Sequence, residues 1–207
     1  MKKSANEVWL EAVSPLAHPF SNSKRVVRPR GLTTFETTEP KILEIDPYYP
    51  LVSFPGRKLN YKFAAAEALW ILSGRSDLEY LTQFNTNMAK YSDDGVTLTG
   101  AYGPRINAQL PYVVNALVED PATRQACLTI WERSPNPSKD IPCTVAMVFQ
   151  LRDGRLDCHT FMRSSDVFLG LPYDMFSFSM VMRLVLEAYH ETGGTPRMSV
   201  LLGTLYL

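Results

Sequence analysis

The sequence predicts an α+β fold, a β-sheet packed against helices, on three observations. Strand-like segments form a mostly consecutive block between about residues 125 and 163, with helical segments before and after it. The helical segment Tyr173–His190 is apolar on nearly every face (Met175, Phe178, Val181, Leu184, Val185 and Tyr189 among others), which predicts a long helix buried on most sides. There is no GxGxxG turn or P-loop, and a doubly wound parallel sheet would show a more regular β–α alternation. With 207 residues the chain is read as a single domain, 1–207, with a sizeable core.

Taken in order, MKKSANEVWLEAV reads as the start of an amphipathic helix; it lacks the continuous apolar stretch of a signal peptide. Residues 14–31 carry several prolines and Lys24, Arg25, Arg28 and Arg30, which predicts a basic extended arm or loop. KFAAAEALWILS, Lys62–Ser73, is Ala- and Leu-rich and stops at Gly74, as a helix does. Ser76 and Glu79 have capping-box spacing for a second helix through about Phe84. Residues 92–105 read as a Gly- and Asp-rich loop, followed by a helix around Tyr112–Glu119 that closes at Asp120-Pro121. Gln125–Arg133 reads as a strand; Thr144–Leu151 and Arg155–Arg163 flank Asp153-Gly154, a hairpin turn signal. After the buried helix, Gly193-Gly194 is a stop and Met198–Leu202 a last strand.

Composition narrows the function. Lys+Arg and Asp+Glu both number 21, so bulk attraction to nucleic acid or to an acidic membrane surface is not expected. No apolar run reaches the ~20 residues of a membrane span, and a cytoplasmic protein is expected. Three cysteines without CxxC spacing argue against a disulfide framework or a zinc site; a reducing compartment and no metal are expected, and one thiol is left to be a nucleophile.

Cys143 follows Pro142 at the mouth of a strand, where a thiol is exposed enough to react; the other reading is a small buried apolar residue, which also suits Cys127 and Cys158 within their strands. Glu67 is the one charge inside AAAEALWIL, so it sits either at the wet edge of the helix or buried for a purpose. In RSSDVFLGLPYD, Arg163 beside Ser164 and Ser165 suits a phosphate, while Asp174 suits either chemistry or a helix N-terminus.

Together these segments resemble thymidylate synthase and its relatives, the pyrimidine nucleotide hydroxymethylases. MRSSDVFLGLPYD (residues 162–174) is similar to the family's long QRS-x-D-x-x-L-G-x-P-[FY]-[ND] signature; IPC at Cys143, EALWILSG at Glu67 and AYGPR at Tyr102 follow the family's order. The resemblance runs from about Arg25 to Tyr206 and implies a large twisted mixed sheet covered by helices, paired back to back as a homodimer. It implies that Cys143 is the nucleophile and that Glu67 organises water and proton transfer. Arg163, Ser164, Ser165 and an N-terminal arginine, Arg28 or Arg30, would hold the phosphate of a nucleoside monophosphate. Arg124 would reach the partner's phosphate site, beside Gln125 where the family has a second arginine. Asp166, Gly170, Tyr102 and Met88 would line the site of the co-substrate, 5,10-methylenetetrahydrofolate; Met88 and Tyr91 stand where synthases carry tryptophans. Tyr206 falls where the family has a sugar-binding histidine, and the chain stops at GTLYL, short relative to the family.

Asp174 replaces the asparagine of thymidylate synthases, and relatives with Asp here act on cytidylates. A carboxylate accepts from cytosine N4–H₂ and from a protonated N3, or donates to N3 if it carries the proton itself, whereas uracil presents N3–H and O4. The expectation is a cytidylate 5-hydroxymethylase acting on CMP or dCMP: Cys143 adds to C6, C5 takes up the one-carbon unit and water captures the exocyclic methylene. The rivals are a methylating thymidylate synthase acting on dUMP and a non-catalytic nucleotide- or RNA-binding relative; the retained Cys143, Glu67 and Arg163 argue against the latter.

Overall fold

Local chemistry sets the helices. The computed structural model describes residues 2–18, 22, 24–133, 135–195 and 200–207. Helix α1 (Ala5–Ala17) opens on a capping box between Ser4 and Glu7. Helix α2 (Tyr61–Leu72) opens on Asn60, whose side chain accepts from the Phe63 N–H, and ends before Gly74 at φ +70°. Helix α3 (Leu78–Thr82) is capped by Asp77 and not by the expected Ser76; the Asp77 carboxylate accepts from the Tyr80 N–H.

Helix α4 (Tyr102–Glu119) begins ten residues earlier than the sequence suggested. Pro104 lies in its first turn, where a missing N–H costs nothing, and Pro111 is accommodated further along. The Gly/Asp loop therefore ends before Tyr102. Its Asp94 carboxylate accepts from the Val96 and Thr97 N–H groups and closes it locally.

The expected N-terminal arm is a ribbon. Strands β1 (Lys24–Val27) and β2 (Thr34–Thr37) pair antiparallel around a 3₁₀ turn at Pro29–Gly31. The main sheet has the order β3-β7-β6-β5-β4, from β3 (Ile42–Ile45), β4 (Cys127–Thr129), β5 (Thr144–Arg152), β6 (Arg155–Met162) and β7 (Val200–Tyr206). It is mixed: β6 and β7 are parallel and every other pair is antiparallel. The β5–β6 hairpin turns at Asp153 (φ +52°) and Gly154 (φ +71°), both left-handed as a tight two-residue turn requires.

Strand β4 is much shorter than expected because its ladder fails at a bulge. The N–H groups of Ile130 and Trp131 both donate to the Val145 carbonyl, where the β5 register shifts. The last strand begins at Val200 and runs on to Tyr206; Met198 and Ser199 lie outside the described residues.

Helix α5 (Leu171–Glu191) covers one face of the sheet, as its all-round apolar pattern predicts, with Met175, Phe178, Val181, Met182, Val185 and Tyr189 buried. Gly203 permits the close approach of its neighbours: a Cβ there would meet Ile45 at 2.8 Å and Met182 Sδ at 3.6 Å. The opposite face is open, with Ile42, Val145 and Phe161 at 64%, 37% and 40% exposure.

Candidate active site

The sheet register gathers the site at one end. Cys143 immediately precedes β5, and its carbonyl accepts from the Arg163 N–H at 2.9 Å, so residues just outside β5 and β6 stay paired. The Cys143 thiol is half-buried and accepts from the Ser164 hydroxyl at 3.7 Å. The next residue donates its backbone N–H to the Tyr102 hydroxyl at 3.3 Å. The other two cysteines are of a different kind: Cys158 is buried and its thiol is pushed up to about 12 by desolvation, and burial also raises Cys127.

Arg163 braces this corner. Its Nε donates to the Pro142 carbonyl at 2.9 Å and a terminal nitrogen donates to the Ile141 carbonyl at 3.0 Å. The guanidinium also lies 5.4 Å from the Trp131 ring centre and contacts the Ser164 hydroxyl at 3.4 Å. A guanidinium has five N–H donors, so the exposed Arg163 keeps some free for an anion. The Ser165 hydroxyl is buried without a partner among the described residues.

Glu67 turns out to lie on the core-facing stripe of α2. Its neighbours at helical spacing, Phe63, Ala64, Trp70 and Ile71, are all buried. The Glu67 carboxyl is pushed up to about 8, first by desolvation and then by the charge of Asp174. Asp174 sits in the first turn of α5 and is pushed up to about 7 by desolvation. Neither carboxyl draws a hydrogen bond from the described residues. Both residues keep partial exposure, so solvent is not wholly shut out from them. Tyr102 completes the group: it stacks on Phe178, and burial, then Asp174, then Cys143 hold its hydroxyl in the neutral form. A thiol, two carboxyls and a phenol thus come together where β5, α2, α4 and α5 converge.

Gly170 lies next to Asp174, a Cβ there falling 3.5 Å from Asp174 Oδ2. Asp166 spends Oδ1 on the Phe168 and Leu169 N–H groups. Met88 packs against the core from the 3₁₀ turn Thr86–Lys90, and Tyr91 is exposed.

Other expected residues are not brought in. Arg28 is exposed on the ribbon, and Arg30 follows it in the 3₁₀ turn. Arg124 is exposed beside the carbonyls held by Arg152 at the far end of β5, on the order of 25 Å from Cys143 at strand rise. Tyr206 ends β7 at the same edge as Cys143, but alternation turns it away from α5, because Gly203 and Leu205 take the α5 side. It stacks on Phe161 at 4.6 Å, and its hydroxyl meets His159 Nδ1 at 3.3 Å.

One residue escaped the sequence reading. Arg57 is 8% exposed, its Nε has no partner among the described residues, and its guanidinium lies 4.6 Å from the Phe168 ring centre and 5.7 Å from that of Tyr173. In FPGRK it looks like a solvated turn; only the fold shows it buried against the 163–174 segment. Two surface hollows elsewhere, one at Asp77, Leu78 and Val96 and one at Tyr112, Thr123 and Gln125, hold none of the site groups. Among the described residues no cluster of His, Cys, Asp and Glu is arranged to hold a metal, and no helix is long and apolar enough to cross a membrane.

Comparison with known proteins gives a consistent neighbourhood. The family model described as thymidylate synthase matches residues 31–199. A deoxyuridylate hydroxymethyltransferase of Bacillus phage SP01 is 35% identical over 164 residues, covering 70% of this chain and 43% of that protein. A deoxyuridylate hydroxymethyltransferase of Pseudomonas phage M6 is 40% identical over 123 residues, covering 55% of this chain and 35% of that protein. The matched regions thus span less than half the length of these relatives.

Proposed function

Because the chain belongs to the thymidylate synthase family, we propose that it is a folate-dependent hydroxymethyltransferase acting at C5 of a pyrimidine nucleoside monophosphate, with a cytidylate, dCMP or CMP, as the first candidate. The observation that carries this reading is the Asp174 carboxyl, without a hydrogen bond among the described residues, coupled by charge to Glu67 on one side and to Tyr102 on the other, with Cys143 beyond Tyr102. A carboxyl at the base-reading position matches the N4–H₂ and N3 edge of cytosine. Deoxyuridylate is the second candidate, favoured by the names of the two phage relatives.

In this proposal the Cys143 thiolate adds to C6, and C5 becomes the carbon nucleophile. Tyr102 and Ser164 hold the Cys143 segment and thiol in place. Glu67 positions water and moves the proton, as a carboxyl pushed up to about 8 suits near neutral pH. Arg163 and Ser164 take the phosphate, with Ser165 behind them. Arg28 or Arg30 adds an N-terminal cation. A reducing, cytoplasmic setting keeps the Cys143 thiol free. The expected sugar contact of Tyr206 is not favoured by its placement, since its hydroxyl meets His159 Nδ1 at 3.3 Å on the far face.

Methylenetetrahydrofolate supplies the one-carbon unit as co-substrate. The residues fit it on one point: among the described residues exposed Asp166 has partners on Oδ1 and none on Oδ2, so an acceptor remains for ring N–H groups. Gly170 and Met88 would border the same space. A homodimer would cover the open face around Ile42, Phe161 and Val145 and carry Arg124 to the partner's phosphate.

The test is to incubate the protein with methylenetetrahydrofolate and each of CMP, dCMP, UMP and dUMP, and to weigh the products. A gain of CH₂O abolished by Cys143→Ala supports the reading and names base and sugar. A gain of CH₂ on dUMP would make it a synthase, and no product with any nucleotide would leave a binding protein.

A further inference from the structure

Two loops enter the site side by side. Residues 92–100 lead into α4 and Tyr102, and residues 135–142 lead into β5 and Cys143. Asp140 fastens one to the other: its Oδ2 accepts from the Gly100 N–H at 2.7 Å. Gly100 is buried, and a Cβ on it would fall 2.5 Å from the Asp140 carbonyl oxygen and 2.9 Å from Asp140 Cγ, so glycine is what permits the approach. Asp93 adds a second fastening, accepting from the Lys139 N–H at 3.1 Å and from the Ser138 hydroxyl.

The arms that run from this clasp are stiff. Asp140 stands three residues before Cys143. Between them Pro142 fixes its own φ and restricts Ile141, and Arg163 grips the carbonyls of both. Gly100 stands two residues before Tyr102, and Arg105 grips the carbonyls of Thr99 and Ala101 at 3.0 and 2.7 Å. The arms meet again where the Thr144 N–H donates to the Tyr102 hydroxyl at 3.3 Å. Cys143 and Tyr102 thus lie on a ring closed by Asp140 and Gly100 at one end and by Thr144 and Tyr102 at the other.

Resting on the nucleotide reading above, we infer that Asp140 is a positioning residue: its bond to the Gly100 N–H holds the Cys143 thiol and the Tyr102 hydroxyl in register for addition of the thiol to the pyrimidine ring.

In that addition the thiolate pair forms the S–C6 bond and the C5–C6 π pair passes to C5, with no atom lost. The thiol must meet C6 within a narrow range of distance and angle, and a misplacement of about 1 Å costs on the order of 100-fold in rate. Without Asp140 the buried Gly100 N–H loses its acceptor, and the loops part to let water reach it. That movement passes along stiff arms to Cys143 on one side and to Tyr102 on the other. The bond requires only an acceptor, so an amide oxygen can replace the carboxylate.

The experiment compares wild type, Asp140→Ala and Asp140→Asn, each alone and combined with Tyr102→Phe. The substrates are methylenetetrahydrofolate and whichever of CMP, dCMP, UMP and dUMP gives product. Asp140→Ala should lower kcat about 10- to 100-fold and move KM by less than about threefold. Asp140→Asn should recover most of the loss. On the Tyr102→Phe background Asp140→Ala should cost markedly less, because the hydroxyl it positions is gone. Amide exchange reads the clasp without any nucleotide. In Asp140→Ala the Thr144 N–H should exchange about tenfold faster or more, while the Phe149 N–H, held by the Ala126 carbonyl in the sheet, should not change. Gly100→Ala pries the same bond apart from the other loop and should reproduce both effects, which keeps the test decisive if Asp140→Ala does not fold. Wild-type kcat in Asp140→Ala, an equal loss with and without the Tyr102 hydroxyl, or equal quickening of the Thr144 and Phe149 amides would each overturn the inference and leave the nucleotide reading intact. No product from the wild type with any nucleotide overturns the nucleotide reading and the positioning role together.

Discussion

At the residue scale, three cysteines of the same side chain separate by environment alone. Cys158 and Cys127 lose nucleophilicity to burial, whereas Cys143 sits half-buried under the Ser164 hydroxyl at the end of the sheet. Brief treatment of the native protein with a thiol reagent should therefore label Cys143 first and Cys158 only on unfolding; peptide mass mapping reads the order, and early labelling of Cys158 would contradict it.

The carboxyls make a second prediction at this scale. A carboxyl raised in the folded state stabilises it below its unfolded value and gives that stability up as pH rises through the folded value. For Asp174 and Glu67 the window runs from their ordinary values of 3.8 and 4.5 up to about 7 and about 8. The ligand-free protein should lose stability across that window. Glu67→Gln should flatten the slope and gain about 1–3 kcal/mol near pH 9, after allowance for water reaching the cleft. Urea melts at several pH values measure it; a Gln variant with the wild-type slope would place the titration elsewhere.

At the element scale, caps and braces hold the site together. Asn60 caps α2 and also donates its amide to the Phe84 carbonyl at 3.1 Å, tying the Glu67 helix to the turn after α3. Asn60→Ala should cost about 1–2 kcal/mol, lowering Tm by roughly 2–4 °C per kcal/mol at this chain length. Arg163 does the same for the Cys143 segment through Ile141, Pro142 and Trp131. Arg163→Lys keeps the charge but not the two-carbonyl grip, so it should lose about 1 kcal/mol of stability and broaden the amide signals of residues 141–144. Unchanged signals would show that the brace is dispensable.

At the scale of the whole molecule, the sheet has one closed face and one open one. Ile42, Tyr206 and Phe161 are cross-strand neighbours on the open side. If the proposed homodimer covers this face, a Phe161→Glu substitution should shift sedimentation toward monomer and lower activity at dilute protein, because a buried like charge on both copies would oppose pairing; unchanged sedimentation would leave this face outside any pairing. Arg124 supplies a sharper check. If it completes the partner's site, mixing inactive Cys143→Ala with inactive Arg124→Ala protein should restore part of the activity, and no recovery would place each site within one chain.

Much of this was legible in the residues. The apolar Tyr173–His190 stretch predicted the buried helix, Asp153-Gly154 the hairpin, and IPC, EALWILSG and MRSSDVFLGLPYD the groups that meet around Cys143. These are local signals: a helical stripe, a turn with positive φ and a motif carry their meaning within a dozen residues. Tertiary structure alone decided the rest. Whether Glu67 was wet or buried depended on which stripe of α2 met α5, and whether Asp174 found a cation depended on elements distant in the chain. Arg57 became a buried cation only by packing on Phe168 and Tyr173, and Tyr206 was set apart from the cleft by strand alternation in β7. Burial and charge neighbours are properties of contacts between remote segments, so the sequence determined which groups are present and the fold determined what each can do.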